Sequence, residues 1–156
     1  MFNIVLHEPR MPGNVGTIGR LAFALDCTLH LIKPYGFGEI TAKEVRRAGL
    51  DYWFELDVRE YDNIEDFWAK NPFSDRHFFA TTKTTKNYFE AEFEAGDYFY
   101  FGREDKGLPA EVLAKREPGC ITIPMANQAR SLNLANSVSV IAYEALRQNF
   151  ASFNQS

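Results

Sequence analysis

Residues 123–147 read IPMANQARSLNLANSVSVIAYEALR, a helical pattern whose start carries Arg130, Ser131, Asn133, Asn136, Ser137 and Ser139. Packing a helix into a core requires none of these side chains, so the segment raises the question of what they bind. Three other stretches also have an unusual composition: EPRMPGNVGTIGR near the N-terminus, KTTK from residue 83 and GREDKGLP from residue 102. Three of the four supply Gly, Asn or Ser where backbone amides could be offered to a ligand. Gly13, Gly16 and Gly19 are spaced wrongly for a dinucleotide fingerprint, and no Walker motif occurs. Glycines that only shape tight turns would explain any one loop. Three such loops at one sheet edge point to a binding site.

The elements that must position these loops follow from the hydrophobic pattern. NIVLHE, TLHLIKP, FELDVRE, HFFATT, DYFYFGR and CITIPM read as strands. GTIGRLAFALD, AKEVRRAG, NIEDFWAK, PAEVLAKR and LANSVSVIAYEALRQ read as helices, with Pro109 near the start of the fourth. This alternation predicts an α/β fold, a mainly parallel sheet flanked by helices. Ligands of such sheets sit beyond the carboxyl ends of the strands, where the four unusual loops fall.

Composition narrows the class. At 156 residues and 46% hydrophobic content, a single domain over residues 1–156 with a sizeable core is expected. Met1 runs directly into FNIVLHEP with neither basic flank nor cleavage site, so the reading is cytoplasmic, with no membrane span. Cys27 and Cys120 are too few for a metal cage or a disulfide scaffold and read as small core residues, so no metal is expected. A net charge of −4 argues against blanket attraction to nucleic acid, although a local basic patch can still bind phosphate.

EPRMPGNVGTIGRLAFAL, KEVRRAGLDYW, GDYFYFGREDKGLP and ITIPMANQARSLNLANSVSVIAYEALRQ together resemble the successive motifs of the SPOUT-class RNA 2′-O-ribose methyltransferases. The branch they resemble most is that of the small bacterial tRNA wobble-nucleotide enzymes. The resemblance spans nearly the whole chain. It implies a SPOUT fold with a C-terminal deep trefoil knot, S-adenosyl-L-methionine as methyl donor, tRNA as substrate and a homodimer whose subunits share active sites. The polar start of the last helix then becomes a ligand and interface segment.

The resemblance also assigns residues. Gly102 matches the glycine at the floor of the cofactor pocket, Ile123 the residue that meets adenine through its backbone, and Ser131 the serine that closes the site; Thr81 falls where the family usually places Leu. Arg20, in an N-x-G-x-x-x-R arrangement with Asn14, matches the arginine essential for transfer, with Asn133 and Tyr143 as positioning groups and Asn136 as a tie within the knot. A guanidinium stays protonated, so binding phosphate and stabilising a developing alkoxide are easier roles for Arg20 than that of a free base. Arg46 and Arg47, with Lys43, and then Lys106 and Arg130 are the expected RNA contacts.

Departures from the pattern touch the RNA side. Where the family commonly reads F-G-P-E-x-R-G-L-P, Arg103 replaces the Pro and Lys106 the Arg, and Ala129 replaces a frequent Ser. Lys cannot reproduce a bidentate fork, which bears on substrate choice. Two alternatives stand beside the tRNA reading: a ribosomal RNA target, whose larger enzymes usually add an N-terminal RNA-binding domain, and a knotted RNA-binding dimer without catalysis. Val138, Ile141, Ala142, Ala145 and Leu146 recur at helical spacing and predict a stripe partly buried between two subunits.

Overall fold

The computed structural model describes residues 1–40, 43, 53–114, 116–127 and 129–154. Runs of β-branched and aromatic residues form six strands: β1 (Asn3–His7), β2 (Thr28–Ile32), β3 (Val58–Tyr61), β4 (His77–Ala80), β5 (Tyr98–Phe101) and β6 (Cys120–Ile121). They make one sheet in the order β3-β2-β1-β5-β4-β6, with every pairing between named strands parallel. Register places Ile4 opposite Leu29 on one side and Phe99 on the other. The fold class expected from the alternating pattern is therefore observed.

Among the described residues four helices cover the sheet: α1 (Pro12–Ala24), α2 (Ile64–Lys70), α3 (Ala110–Leu113) and α4 (Leu134–Gln148). On one face Ile4, Leu6, Leu29, Leu31, Phe99 and Phe101 share a core with Val15, Ile18 and Ala22 of α1 and with Val138, Ile141 and Ala145 of α4. On the other face Val5, Ile32, Phe79 and Tyr100 pack with Phe67 of α2 and Val112 of α3. Burial on both faces explains why the strands read as continuous apolar runs.

Local chemistry moved several boundaries. The first helix was expected from Gly16, but it begins at Pro12, because proline's fixed φ and missing N–H suit a first turn. Gly16 and Gly19 are buried positions of that helix, as the GTIGRLAFALD pattern placed them. The CITIPM strand stops at Ile121, with only a bridge from Thr122 to Asn87 beyond it, and Pro124 has no N–H to continue a ladder. FELDVRE contains a 3₁₀ turn at Trp53–Glu55 before β3 begins at Val58. The AKEVRRAG helix lies outside the described residues except for exposed Lys43. The closing helix occupies the residues expected of it, LANSVSVIAYEALRQ.

The stripe on α4 needs correction. Val138, Ile141, Ala142, Ala145 and Leu146 are all buried within the single chain, against α1 and the sheet, so the stripe is core and carries no argument for a subunit interface. Cys27 and Cys120 are buried free thiols, as read from the sequence. No helix among the described residues is long and apolar enough to cross a membrane.

Candidate functional site

A cavity of about 300 Å³ opens at the carboxyl ends of β4, β5 and β6. Ala80, Phe101, Ile121 and Leu134 contribute apolar wall, and the polar rim comes from the loops at residues 81–83, 102–107 and 122–131. Three of the four loops singled out by composition thus line one space. The fourth, after β1, lies outside it.

The cavity wall brings together all four cofactor candidates, Thr81, Gly102, Ile123 and Ser131, and it includes Lys106 and Arg130. Thr81 donates its backbone N–H to the Ile121 carbonyl (2.9 Å), and its hydroxyl accepts from the Lys83 N–H (3.1 Å). At Ile123 the chain has left the sheet: Thr122 makes the last backbone bonds, to Lys86 and Tyr88 (2.8 Å each), and among the described residues the N–H and carbonyl of Ile123 form no hydrogen bond. Ile123 lines the cavity with that backbone hydrogen-bonding capacity unused, which suits recognition of a planar heterocycle.

Gly102 is required for a reason the sequence did not disclose. A Cβ there would collide with the backbone carbon of Gly107 and the backbone nitrogen of Leu108, because the loop after β5 folds back over it. The turn is closed by the Gly107 N–H donating to the Arg103 carbonyl (2.8 Å), with Gly107 at φ +71°. Arg103 and Asp105 reinforce it through a two-point ion pair (2.9 and 2.7 Å), which raises the pKa of the guanidinium and lowers that of the carboxyl. The missing side chain therefore serves the loop's own closure.

Sequence reasoning missed Glu104, although it lies inside a quoted motif. Its carboxylate accepts from the backbone N–H groups of Arg10 (2.9 Å) and Met11 (3.3 Å) at the start of α1, and from Asn14 Nδ2 (3.3 Å). Negative charge suits a helix N-terminus, so Glu104 pins the loop after β1 to the loop after β5. A signal was present in the lack of any acidic residue in the first turn of α1, which leaves its amides to be answered from elsewhere.

The four catalytic candidates divide. Asn133 Nδ2 donates to Asn14 Oδ1 (3.4 Å), while Asn133 Oδ1 caps α4 by accepting from the Asn136 N–H (3.2 Å). Asn136, expected to tie the knot through its side chain, is exposed and enters that cap through its backbone. Arg20 lies on the exposed stripe of α1 and Tyr143 on the exposed side of α4, and none of the four lines the cavity of its own chain. Arg46 and Arg47 lie outside the described residues. Among the described residues no group of His, Cys, Asp and Glu is arranged to hold a metal ion.

Comparison with known proteins places this geometry. Residues 1–143 match the model of the SpoU rRNA Methylase family. The tRNA (cytidine(34)-2'-O)-methyltransferase of Escherichia coli (strain K12) is 45% identical over 150 residues, which cover 95% of this chain and 94% of that protein. A solved structure that concerns the 2-OH methylation of C/U34 on tRNA is 43% identical, covers 97% of both chains and superposes with a TM-score of 0.89. The AdoMet-bound rRNA methyltransferase from Sinorhizobium meliloti is 28% identical with a TM-score of 0.81; the alignment covers 94% of this chain and 56% of that one. A match over nearly the whole chain identifies this protein as a member of the SpoU methylase family.

Proposed function

We propose that this protein transfers a methyl group from S-adenosylmethionine to the ribose 2′-hydroxyl of the wobble nucleotide, position 34, in the anticodon loop of tRNA. The observation that carries the reading is the convergence of Thr81, Gly102, Ile123 and Ser131, from three separate loops, on one cavity. Relatives of matching length that are named for this same reaction support it. The residues fit the methyl donor: apolar wall for an adenosine, free backbone groups at Ile123, and a volume at the lower end of small-molecule sites.

When bound, the cofactor supplies an electrophilic methyl on a sulfonium. The chain's own residues must hold the acceptor in line and take charge off the attacking oxygen. Arg20 does this as a permanent cation, by fixing a phosphate and stabilising the developing alkoxide while the hydroxyl proton passes to that phosphate. Asn14 and Asn133, held by Glu104 and by each other, position the nucleotide, and Tyr143 is a further positioning group. Arg46, Arg47, Lys106 and Arg130 grip the RNA backbone. Arg20 and Tyr143 lie outside the cavity of their own chain, so the reading includes a homodimer in which they serve the partner's cavity, on a single domain with the C-terminal trefoil knot of its class. An anticodon-loop nucleotide is splayed from its stack more cheaply than a paired one, which makes its ribose an accessible acceptor.

The direct test is incubation of the purified protein with labelled S-adenosylmethionine and total tRNA, followed by mapping of the label. Label on the ribose of nucleotide 34 is expected. Label confined to ribosomal RNA, or carried on a base, overturns the assignment. Arg20→Ala should keep cofactor affinity in titration calorimetry and reduce transfer at least ~100-fold, the scale of a lost charge-stabilising donor. Light scattering at micromolar concentration should give a dimeric mass.

A further inference from the structure

The composition of the loop after β4 is absorbed by none of the roles above. Residues 81–86 read TTKTTK, and each half folds the same way. The Thr81 hydroxyl accepts from the Lys83 N–H (3.1 Å), and the Thr84 hydroxyl accepts from the Lys86 N–H (3.4 Å). The first of these turns sets Lys83 on the cavity wall, whereas Lys86 is outside it.

Charge at that wall is unbalanced. Its cations are Lys83, Arg103, Lys106 and Arg130, and its anions are Glu104 and Asp105. Asp105 is taken up by Arg103, and Glu104 is turned toward the amides of Arg10 and Met11. Lys83, Lys106 and Arg130, from three different loops, form no ion pair among the described residues. A net charge of −4 over the whole chain gives no general reason for such an excess. The methyl donor does not balance it: one carboxylate stands against an ammonium and a sulfonium, so the donor brings net positive charge to the same cavity. The missing counterion must be an anion that arrives with the acceptor.

We propose that Lys83 is a phosphate-binding residue which, with Lys106 and Arg130, clamps the RNA backbone beside the reacting ribose at the cavity mouth. This rests on the methyltransferase reading given above. Lysine suits the place, since a point charge on a flexible stem can follow a phosphate as the nucleotide enters. Thr81 thereby acquires a second function: its hydroxyl fixes the turn from which Lys83 projects.

The test compares wild type, Lys83→Gln, Lys83→Arg and Lys70→Gln, the last removing a lysine paired with Asp66 on α2. tRNA affinity is measured across a potassium chloride series, and S-adenosylmethionine affinity by calorimetry. K83Q should bind tRNA several-fold more weakly at low salt and flatten the slope of log affinity against log salt by about 0.7–0.9, the contribution of one phosphate contact. K83R should recover most of both, K70Q should match wild type, and cofactor affinity should be the same in all four. Unchanged tRNA affinity and slope in K83Q overturn the proposal, as does a fall in its cofactor affinity, which would place the ammonium on the carboxylate of the methionine moiety instead. If wild type methylates tRNA and K83Q is indistinguishable from it, the clamp alone is wrong. If wild type neither binds nor methylates tRNA, the underlying reading falls with it.

Discussion

Beneath α2, His30, Tyr61, Asn71 and Tyr98 form a polar cluster as dense as the one at the carboxyl edge of the sheet, yet each group in it is answered from inside the chain. Asn3 Nδ2 donates to the Gly96 carbonyl, which leaves its Oδ1 to accept from His30 Nε2 (2.8 Å). His30 Nδ1 then accepts from the Tyr61 hydroxyl (2.9 Å), which takes Asn71 Nδ2 (3.3 Å), while Asn71 Oδ1 takes the Tyr98 hydroxyl (3.0 Å). At the cavity the opposite holds among the described residues: the backbone groups of Ile123 form no hydrogen bond, and Lys83, Lys106 and Arg130 form no ion pair. Both regions are rich in His, Tyr, Asn, Lys or Arg, and only the unanswered one has a use for a ligand. Closure of the hydrogen-bond network, more than polarity, separates scaffold from site.

The largest effect expected from disturbing this contrast is at Gly102. Gly102→Val puts branched carbon where the Gly107–Leu108 backbone lies, so the rim must open. S-adenosylmethionine affinity should fall at least ~30-fold, the equivalent of about 2 kcal/mol. Calorimetry checks it. Near wild-type affinity would mean that the rim turn is dispensable and that the cavity is not formed by closure of this loop.

The closed cluster is broken by acid. Burial lowers the pKa of His30 and of His77 from about 6.5 to about 4. Both are neutral in the fold: His77 Nδ1 accepts from the Tyr100 hydroxyl (2.6 Å), whose oxygen takes the Trp68 N–H (3.0 Å). With folded values below unfolded ones, this stability is complete above pH 6.5 and is lost as the pH falls toward 4. Each histidine accounts for about 3 kcal/mol across that window, at 1.36 kcal/mol per unit. Urea unfolding from pH 7 to pH 4 should show the decline, and His77→Phe should start less stable and decline less steeply. A variant whose slope equals that of wild type would remove His77 from the account.

These differences also mark how far the sequence could be read. Period and residue type were enough for the parallel α/β sheet and for α4, because a core buried on both faces leaves a direct imprint on the pattern. Loop composition singled out four loops, three of which line the cavity, but its Gly, Asn and Ser criterion favoured the loop after β1, which lies outside the cavity, over the KTTK loop, which lies on it. Glu104 and the reason for Gly102 stayed hidden, because both depend on contacts between segments about ninety residues apart or within one folded-back turn. The apolar stripe of α4 misled in the other direction: periodicity shows that a face is buried, but not whether the same chain or a second one buries it.

The smallest effect, and the one that separates structural from functional duty within a single side chain, is at Asn133. Its Oδ1 caps α4 and its Nδ2 reaches Asn14, so one amide joins the cap of α4 to α1. Asn133→Ala removes both and should cost about 1 kcal/mol of stability, the usual worth of a lost cap. Asn133→Asp keeps the acceptor, and its charge suits the start of a helix, so stability should return to the wild-type value or slightly above it. The aspartate cannot donate to Asn14, however, and it sets a second carboxylate near Glu104. If the link to Asn14 positions the acceptor nucleotide, the Asp variant should remain as poor a methyltransferase as the Ala variant while unfolding like wild type, with the loss in kcat and cofactor affinity unchanged. Recovery of activity together with stability would show that Asn133 acts only as a cap and would leave Asn14 to be held by Glu104 alone.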